Sequence, residues 1–214
     1  MAGGIGTDDM RGERVRLERR ASLRIGGSDG RQPKPGMRIL GIDDSPFSKS
    51  DSHVLVVGVL MRRNTVEGVL STVVERDGDD ATEKLAEMVL KTRFAKQAGC
   101  IILNSIMFAG LNVVDIRALS NALQRPVIAV VRKKPDMKAV EKALANVCCT
   151  EEKMVRMRNA GRVEKFGNVY AQVAGISVED ARKILARFKG IPEPVRLAHV
   201  IAGGIVRGES GGKV

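Results

Sequence analysis

Two adjacent carboxylates, Asp43 and Asp44, follow the first apolar run of the chain at residues 38–42. Hydrolysis of a phosphodiester with a divalent metal ion needs hard oxygen ligands, and carboxylates gathered at the carboxyl ends of strands supply them. The competing interpretation is that the pair only caps the loop that begins at Ser45 and Pro46. Asp43 is therefore the centre of a candidate metal site, with a loop cap as the alternative.

A second group of acids, Asp77, Asp79 and Asp80, lies just before the first predicted helix. A carboxylate in that place can contribute to a metal site, or it can satisfy the free N–H groups at the helix N-terminus. Position alone favours the capping role for these three residues.

His199 and Arg132 are the other candidates for chemistry. His199 lies on the last predicted helix, where it could bind metal, contact phosphate or transfer a proton, although a lone histidine on an apolar helix is more often a hydrogen-bonded core residue. Arg132 begins a basic run that continues through Lys133 and Lys134 at the end of a predicted strand. Such a run can hold phosphate, and a solvated basic surface is the commoner alternative.

The chain is strongly basic, with a formal net charge of +11 and a pI near 10.0. This charge favours polyanion partners, because neutralising phosphates releases counterions, although a basic surface also serves plain solubility. The sequence has no Trp, one Tyr and five Phe, so it is poor in the aromatic platforms on which single-strand binders stack bases. Nucleic acid, contacted through its backbone phosphates by the basic surface, is the partner class that these features favour.

The apolar pattern divides the chain into a tail, residues 1–36, and a single domain, residues 37–214. The tail is rich in Gly, Arg and Asp, and we predict that it is disordered and basic. A translation start at Met37 is a competing explanation for it. The chain shows neither a signal peptide nor a membrane-spanning run, which favours the cytoplasm, and its three cysteines lack the paired spacing of a zinc site.

Short β-branched runs and amphipathic segments predict the elements that position the candidate residues. Three strands come first, the second and third as an antiparallel hairpin, and a helix follows; strands then alternate with helices, as in a parallel sheet with crossover connections. The predicted strands are 38–42, 53–61, 66–75, 100–103 and 127–131, and the predicted helices are 82–96, 112–123 with Asn112 as its cap, and one after Asp136. This order resembles that of ribonuclease H-like α/β folds.

The last third of the chain predicts a charged helix over 151–159, a hairpin near 167–168 and a helix capped by Ser177. A final helix begins near Glu193 and is apolar almost all round, which predicts that it is buried. His199 is one of the polar residues that interrupt this apolar surface.

Four segments, in the same order along the chain, resemble the DUF99 (UPF0215) family, which is mostly archaeal and related to endonuclease V. They are residues 41–47 (GIDDSPF), 77–82 (DGDDAT), 108–116 (FAGLNVVDI) and 192–199 (PEPVRLAH). The likeness extends from about residue 38 to residue 210. It implies an endonuclease V-like mixed sheet, and it leaves the tail outside.

The resemblance also implies an activity, because endonuclease V enzymes cut a strand near deaminated purines with magnesium held by carboxylates. It assigns catalytic roles to Asp43, Arg132 and His199. It places the metal, Mg²⁺ with Mn²⁺ as a substitute, at Asp43, Asn104 and Asp77, the last as a possible substitute for a Glu. Both families usually carry Asp at the position of Asn104, and a neutral amide there should weaken metal binding.

Three hypotheses from different classes remain open on the sequence. The chain could be a magnesium-dependent nuclease, which the retention of Asp43 supports. It could instead be a catalytically impaired nucleic-acid-binding protein, which Asn104 and the basic charge favour. It could also be a structural or regulatory partner protein in which Asp43 and His199 only hydrogen-bond inside the fold.

Overall fold

A seven-stranded mixed sheet is the centre of the fold in the computed structural model, which describes residues 36–145 and 147–211. The strands are β1 (Arg38–Asp44), β2 (His53–Arg62), β3 (Thr65–Glu75), β4 (Cys100–Asn104), β7 (Val127–Val131), β8 (Glu164–Phe166) and β9 (Val169–Ala174). Two short strands, β5 (Met107–Phe108) and β6 (Asn112–Val113), form a separate ribbon. The predicted tail lies outside the described residues, apart from Gly36.

Six α-helices and a short 3₁₀ turn at Arg93–Lys96 surround the sheet in the described part of the chain. The helices are α1 (Ala81–Leu90), α2 (Ile116–Leu123), α3 (Met137–Leu144), α4 (Thr150–Asn159), α5 (Val178–Leu185) and α6 (Glu193–Arg207). None of the helices within residues 36–145 and 147–211 has both the length and the apolar composition needed to cross a bilayer.

The strand order is β3-β2-β1-β4-β7-β9-β8. β1 pairs antiparallel with β2 and parallel with β4, and β4 pairs parallel with β7. The predicted order of three leading strands followed by alternating helices and strands is confirmed, as is the antiparallel hairpin of β2 and β3. Because β1, β4 and β7 run in one direction, their carboxyl ends lie at one edge of the sheet.

Alternation along the central strands divides their side chains between two layers of helices. Leu40 and Ile42 of β1 and Leu103 of β4 pack in the cluster that contains α1 and α2. Ile39 and Ile102 pack on the opposite face, with α5 and the start of α6. Because side chains on the same face recur at every second residue, this alternation also determines the face to which each residue at the end of these strands points. The assembly of the site follows from it.

The first predicted helix is shorter than expected. It was predicted over 82–96, but α1 ends at Leu90 and a separate 3₁₀ turn, Arg93–Lys96, follows it. The side chain of Thr92 caps this turn by accepting a hydrogen bond from the N–H of Phe94. Thr92 thus starts a new element where the apolar pattern alone suggested one continuous helix.

The predicted cap at Asn112 is wrong. Asn112 lies in β6, and α2 begins only at Ile116, where the carboxylate of Asp115 accepts hydrogen bonds from the N–H groups of Arg117 and Ala118. The fully buried Asn112 side chain is instead bonded to residues at the start of α1. A local capping pattern was therefore overridden by long-range hydrogen bonds.

The close approach of α6 to β1 depends on Gly41. A Cβ at this position would lie 2.3 Å from the carbonyl carbon of Pro194 and 2.3 Å from the amide nitrogen of Val195. Both atoms belong to the backbone of α6, so a rotamer change could not relieve the clash. Glycine at position 41 therefore sets the distance between the strand and the helix.

We predict that Gly41→Ala destabilises the protein by about 1–3 kcal/mol or more, because overpacking against backbone forces elements apart. Denaturant unfolding measures this loss. Gly190→Ala is the matched control, because a Cβ at Gly190 would meet nothing within 4 Å. A Gly41→Ala variant within about 0.5 kcal/mol of the unaltered protein would contradict this account of the packing.

Candidate active site

The carboxylate of Asp43 is the centre of a hydrogen-bonded cluster, and its residue is only 1% exposed. Its Oδ1 accepts hydrogen bonds from the side-chain amide of Asn104 and from the N–H of Asp44, both at 3.0 Å. Its Oδ2 lies 3.0 Å from Nδ1 of His199. The structure thus brings together three of the residues that the sequence singled out, Asp43, Asn104 and His199.

Two regularities of secondary structure produce this convergence. β1 and β4 pair in parallel with Ile42 opposite Leu103, so the next residues, Asp43 and Asn104, are neighbours on the face that α6 covers. On α6, Val195 packs against Gly41, and His199 lies four residues later on the same side of the helix. His199 is therefore one turn further along the helix, at the level of Asp43.

The hydrogen bond to Asp43 determines the state of the His199 ring. An ionised carboxylate can only accept a hydrogen bond, so Nδ1 carries a proton and donates the hydrogen bond to Asp43. This hydrogen bond raises the pKa of His199 above its ordinary value of 6.5, against the opposing effect of partial burial. The nearby charge of Arg132 also acts to lower the His199 pKa. His199 is partly accessible, with 28% of its side chain exposed.

Asp44 faces the opposite side of β1, as the strand alternation requires. Its Oδ2 accepts a hydrogen bond of 2.6 Å from the N–H of Ala109, in the loop between β5 and β6. Burial, together with the like charge of Asp43, raises the pKa of Asp44 to about 7. The sequence placed Asp44 beside Asp43 but gave it no separate role, and the structure makes it the second carboxylate of the site.

The donor types at this edge fit a hard divalent cation. Asp43 and Asp44 are adjacent carboxylates, and burial together with the like charge of Asp43 disfavours the ionised form of Asp44. The described residues contain no group of three or more His, Cys, Asp or Glu placed to hold a metal ion. Two neighbouring carboxylates are a donor set that Mg²⁺ accepts, because this ion is usually held by one or two carboxylates and completes its coordination with water and substrate oxygens.

Asp77 joins the site indirectly. Its Oδ1 accepts a hydrogen bond of 2.9 Å from the N–H of Leu111, and its own N–H donates to the carbonyl of Ala109. Arg76 lies 3.7 Å from its other carboxylate oxygen. Asp77 and Asp44 are therefore both tied to Ala109, through the carbonyl and the N–H of that residue.

Asp80, for which position favoured a helix cap, makes no side-chain capping bond to α1. Its Oδ1 accepts hydrogen bonds from the side-chain amide of Asn112, at 2.7 Å, and from the N–H of Glu75, at 3.1 Å. The capping role falls in part to Asn112, whose Oδ1 accepts from the N–H of Ala81. Asp80 thus ties β3 and the β5–β6 ribbon to the start of α1.

Arg132 lies immediately after β7, at the same edge of the sheet. Arg132, Lys133 and Lys134 are all exposed. Because the charge of Arg132 influences the pKa of His199, its guanidinium belongs to the electrostatic surroundings of the cluster. Arg132 is thus an exposed residue at the edge of the sheet where Asp43 and Asn104 lie.

Comparisons of the sequence and of the structure with known proteins agree on one family. The profile of the family described as Endonuclease dU matches residues 35–206. A UPF0215 protein from Methanothermobacter thermautotrophicus is 44% identical over 191 residues, which cover 85% of this chain and 94% of the relative. A solved structure of a protein of unknown function from Archaeoglobus fulgidus is 37% identical, with a TM-score of 0.76, and covers 80% of this chain and 99% of its own.

More distant structures share the fold. Endonuclease V from Ciona intestinalis, solved with a 24mer DNA that contains an inosine, is 16% identical with a TM-score of 0.52. That match covers 89% of this chain and 95% of the Ciona chain. At this level of identity the likeness concerns the fold alone, and the fold is that of endonuclease V.

The Asp43–His199 hydrogen bond predicts a titration difference that NMR can measure in metal-free protein. Asp43→Asn removes the negative charge that favours the protonated ring, so the pKa of His199 should fall. In Asp136→Asn, which keeps an equivalent cap on α3, it should stay unchanged. An unchanged His199 pKa in Asp43→Asn would contradict the pairing.

The same pairing fixes the sign of a stability effect. The His199 pKa is raised on folding, so its stabilising contribution is complete below the unfolded value near 6.5 and is lost as pH rises through the folded value. The stability gap between the unaltered protein and His199→Gln should therefore be widest at mildly acidic pH. A gap that widens with rising pH across this range would be inconsistent with the bond.

Proposed function

This chain belongs to the Endonuclease dU family, and on that premise we propose that it hydrolyses phosphodiester bonds in nucleic acid with the help of a divalent metal ion. The observation that carries the proposal is the hydrogen-bonded convergence of Asp43, Asn104 and His199 at the carboxyl edge of the sheet, with Asp44 beside them. Carboxylates at this edge, with a histidine in reach, suit phosphodiester hydrolysis.

A deaminated base is the substrate feature that we propose. The family name points to deoxyuridine, which forms when deoxycytidine loses its amino group. The Ciona endonuclease V that shares the fold was solved with DNA containing inosine, which forms when adenosine is deaminated. Both bases carry a carbonyl where the parent base carries an amino group, so recognition of that oxygen is the common chemistry.

Asp43 and Asp44, with the amide of Asn104 at their side, are the residues that would hold Mg²⁺ or Mn²⁺. A bound ion of this kind polarises the scissile phosphate and lowers the pKa of water. Asp43 would also orient His199 through Oδ2, while its Oδ1 faces Asn104 and the N–H of Asp44.

His199 is the proposed general acid. Asp43 holds Nδ1, so Nε2 is the atom left to give a proton to the leaving oxygen. The raised pKa of His199 keeps more of the ring protonated near neutral pH than an ordinary histidine would. Asp43 thereby sets the orientation of the His199 ring and increases the fraction of the ring that is protonated.

Arg132 is the proposed phosphate contact. It is exposed after β7 and begins the run completed by Lys133 and Lys134, on a chain with a net charge of +11. A guanidinium can donate two parallel hydrogen bonds to a phosphate. The basic run would hold the backbone, while the carboxylates act on the scissile bond.

One observation favours a second candidate, nucleic-acid binding without cleavage. The side-chain amide of Asn104 donates to Asp43, at a position where the family resemblance implies an aspartate. A donor there satisfies the Asp43 carboxylate with a neutral partner and removes one negative charge from a metal site. The two candidates therefore differ in what Asn104→Asp should do.

We predict cleavage of labelled DNA that contains uracil or inosine, or of RNA that contains inosine, in Mg²⁺ or Mn²⁺, by the unaltered protein. Asp43→Asn should lower the rate by about 100-fold or more, because it removes a ligand charge and the partner of His199. Asn104→Asp should tighten metal binding, measured by calorimetry. Asp115→Asn is the matched control, because asparagine caps α2 as well as aspartate does.

Two results would redirect the proposal. Equal cleavage by Asp43→Asn would show that another site performs the reaction. If the unaltered protein binds the labelled strands without cutting them in either metal while Asn104→Asp cuts, the second candidate is correct.

Arg132→Ala should weaken binding of any nucleic-acid sequence and reduce the slope of log K against log salt by about 1, as expected when one phosphate contact is lost. Fluorescence anisotropy across a salt series measures both quantities. Arg93→Ala is the control, because Arg93 is an exposed arginine in the 3₁₀ turn that leads to the amino end of β4, away from the carboxyl ends of the strands. Equal slopes for Arg132→Ala and the unaltered protein would remove Arg132 from the interface.

A further inference from the structure

The turn between β3 and α1, residues 76–80, is fastened to α4 by two basic side chains; we name it the acidic turn. Nζ of Lys153 donates a hydrogen bond of 2.7 Å to the backbone carbonyl of Asp77. The guanidinium of Arg156 pairs with both carboxylate oxygens of Asp79. Lys153 and Arg156 are three residues apart on the helix, so one face of α4 holds the turn.

Lys153 is an unusual residue for this task because it is 0% exposed. A buried ammonium is costly unless strong acceptors surround it, and lysines are rarely buried in full. Within the described ranges, the Lys153 ammonium donates a hydrogen bond to the backbone carbonyl of Asp77. The buried side chain of Lys153 therefore holds the backbone of Asp77 in place.

Asp77 is in turn hydrogen-bonded to the loop that contains Ala109, the loop between β5 and β6. Its N–H donates to the Ala109 carbonyl at 2.9 Å, and its Oδ1 accepts from the N–H of Leu111 at 2.9 Å. Gly110 lies between them, and a Cβ there would be 2.4 Å from Oδ1 of Asp77. The carboxylate of Asp77 thus fits closely against the loop backbone.

The acidic turn and the loop need such support because each contains a residue with a strained backbone. Asp77 and Ala109 both have positive φ, at 55° and 46°, which side chains other than glycine rarely adopt. Residues in this region of φ persist only where surrounding contacts fix them, and such residues often lie near functional sites. The hydrogen bonds of Asp77 and Lys153 supply these contacts here.

The last link reaches the candidate active site. The N–H of Ala109 donates to Oδ2 of Asp44 at 2.6 Å. Lys153, Asp77, Ala109 and Asp44 therefore form one continuous series of hydrogen bonds from α4 to the second carboxylate of the site.

We propose that Lys153 is a positioning residue that, through Asp77 and Ala109, fixes the carboxylate of Asp44 beside Asp43. Asp77 acts in this series by holding the loop, not as a ligand of the metal ion. The assignment of a role in catalysis rests on the proposed function; the positioning of Asp44 does not.

The test is amide hydrogen exchange of the full-length protein in EDTA, with Lys153→Met. Methionine fills a similar volume without the charge, so the buried stem keeps its packing. We expect the N–H groups of Ala109 and Leu111 to exchange about tenfold faster, the loss expected from one hydrogen bond. Amides in β7 should be unchanged. Lys165→Met, an exposed lysine on β8, is the matched control.

A second pair of variants keeps the test decisive if Lys153→Met fails to fold. Asp77→Asn retains an oxygen that can accept from Leu111, whereas Asp77→Ala does not. Protection of the Leu111 amide should survive in Asp77→Asn and fall about tenfold in Asp77→Ala. If Asp77 were a metal ligand instead, both variants would lower Mn²⁺ affinity and leave exchange in EDTA unchanged, which would overturn the proposal.

The outcomes for positioning and for function are separable. With a cleaved substrate in hand, Lys153→Met should lower kcat by about 10- to 100-fold and leave KM within about threefold, as expected for loss of an orienting partner. Unchanged Ala109 exchange in Lys153→Met refutes the proposal, whether or not the protein cuts nucleic acid. Faster exchange in a protein that neither cuts nor binds Mn²⁺ supports the positioning of Asp44 and refutes the proposed function instead.

Discussion

The hydrogen bonds to the buried carboxylate of Asp43 are the interaction on which the site depends. A carboxylate that is 1% exposed costs several kcal/mol unless donors replace the lost water. The donors come from β4 and α6, through Asn104 and His199, and from the backbone of Asp44. The buried carboxylate of Asp43 therefore depends on three features together. These are the strand order, the close approach of α6 at Gly41 and the position of His199.

The alternation of β1 gives the site two sides. Asp43 faces α6, and Asp44 faces the β5–β6 loop, so one strand presents carboxylates to both layers of the fold. Each carboxylate is held by its own layer, and the layers meet only at the edge where the strands end. A change in either layer can therefore reach the site without any direct contact with substrate.

Much of this arrangement could be predicted from the sequence. Strand periodicity placed Asp43 at the end of the first strand, the apolar pattern of the last helix drew attention to His199, and family resemblance singled out Asn104. The roles of Asn112 and Lys153 could not be predicted, because local rules assign asparagine to helix caps and lysine to the surface. Both residues are buried and bonded to segments distant in sequence, the kind of contact that no local pattern reports.

The central claim is that Asp43 and Asp44 bind a divalent ion, and paramagnetic broadening by Mn²⁺ tests it most directly. In NMR spectra of the unaltered protein, substoichiometric Mn²⁺ should first broaden the amide signals of Asp43, Asp44, Asn104 and His199. Competition by Mg²⁺ should restore them. Broadening that begins at the acidic turn, or is uniform across the surface, would contradict the claim.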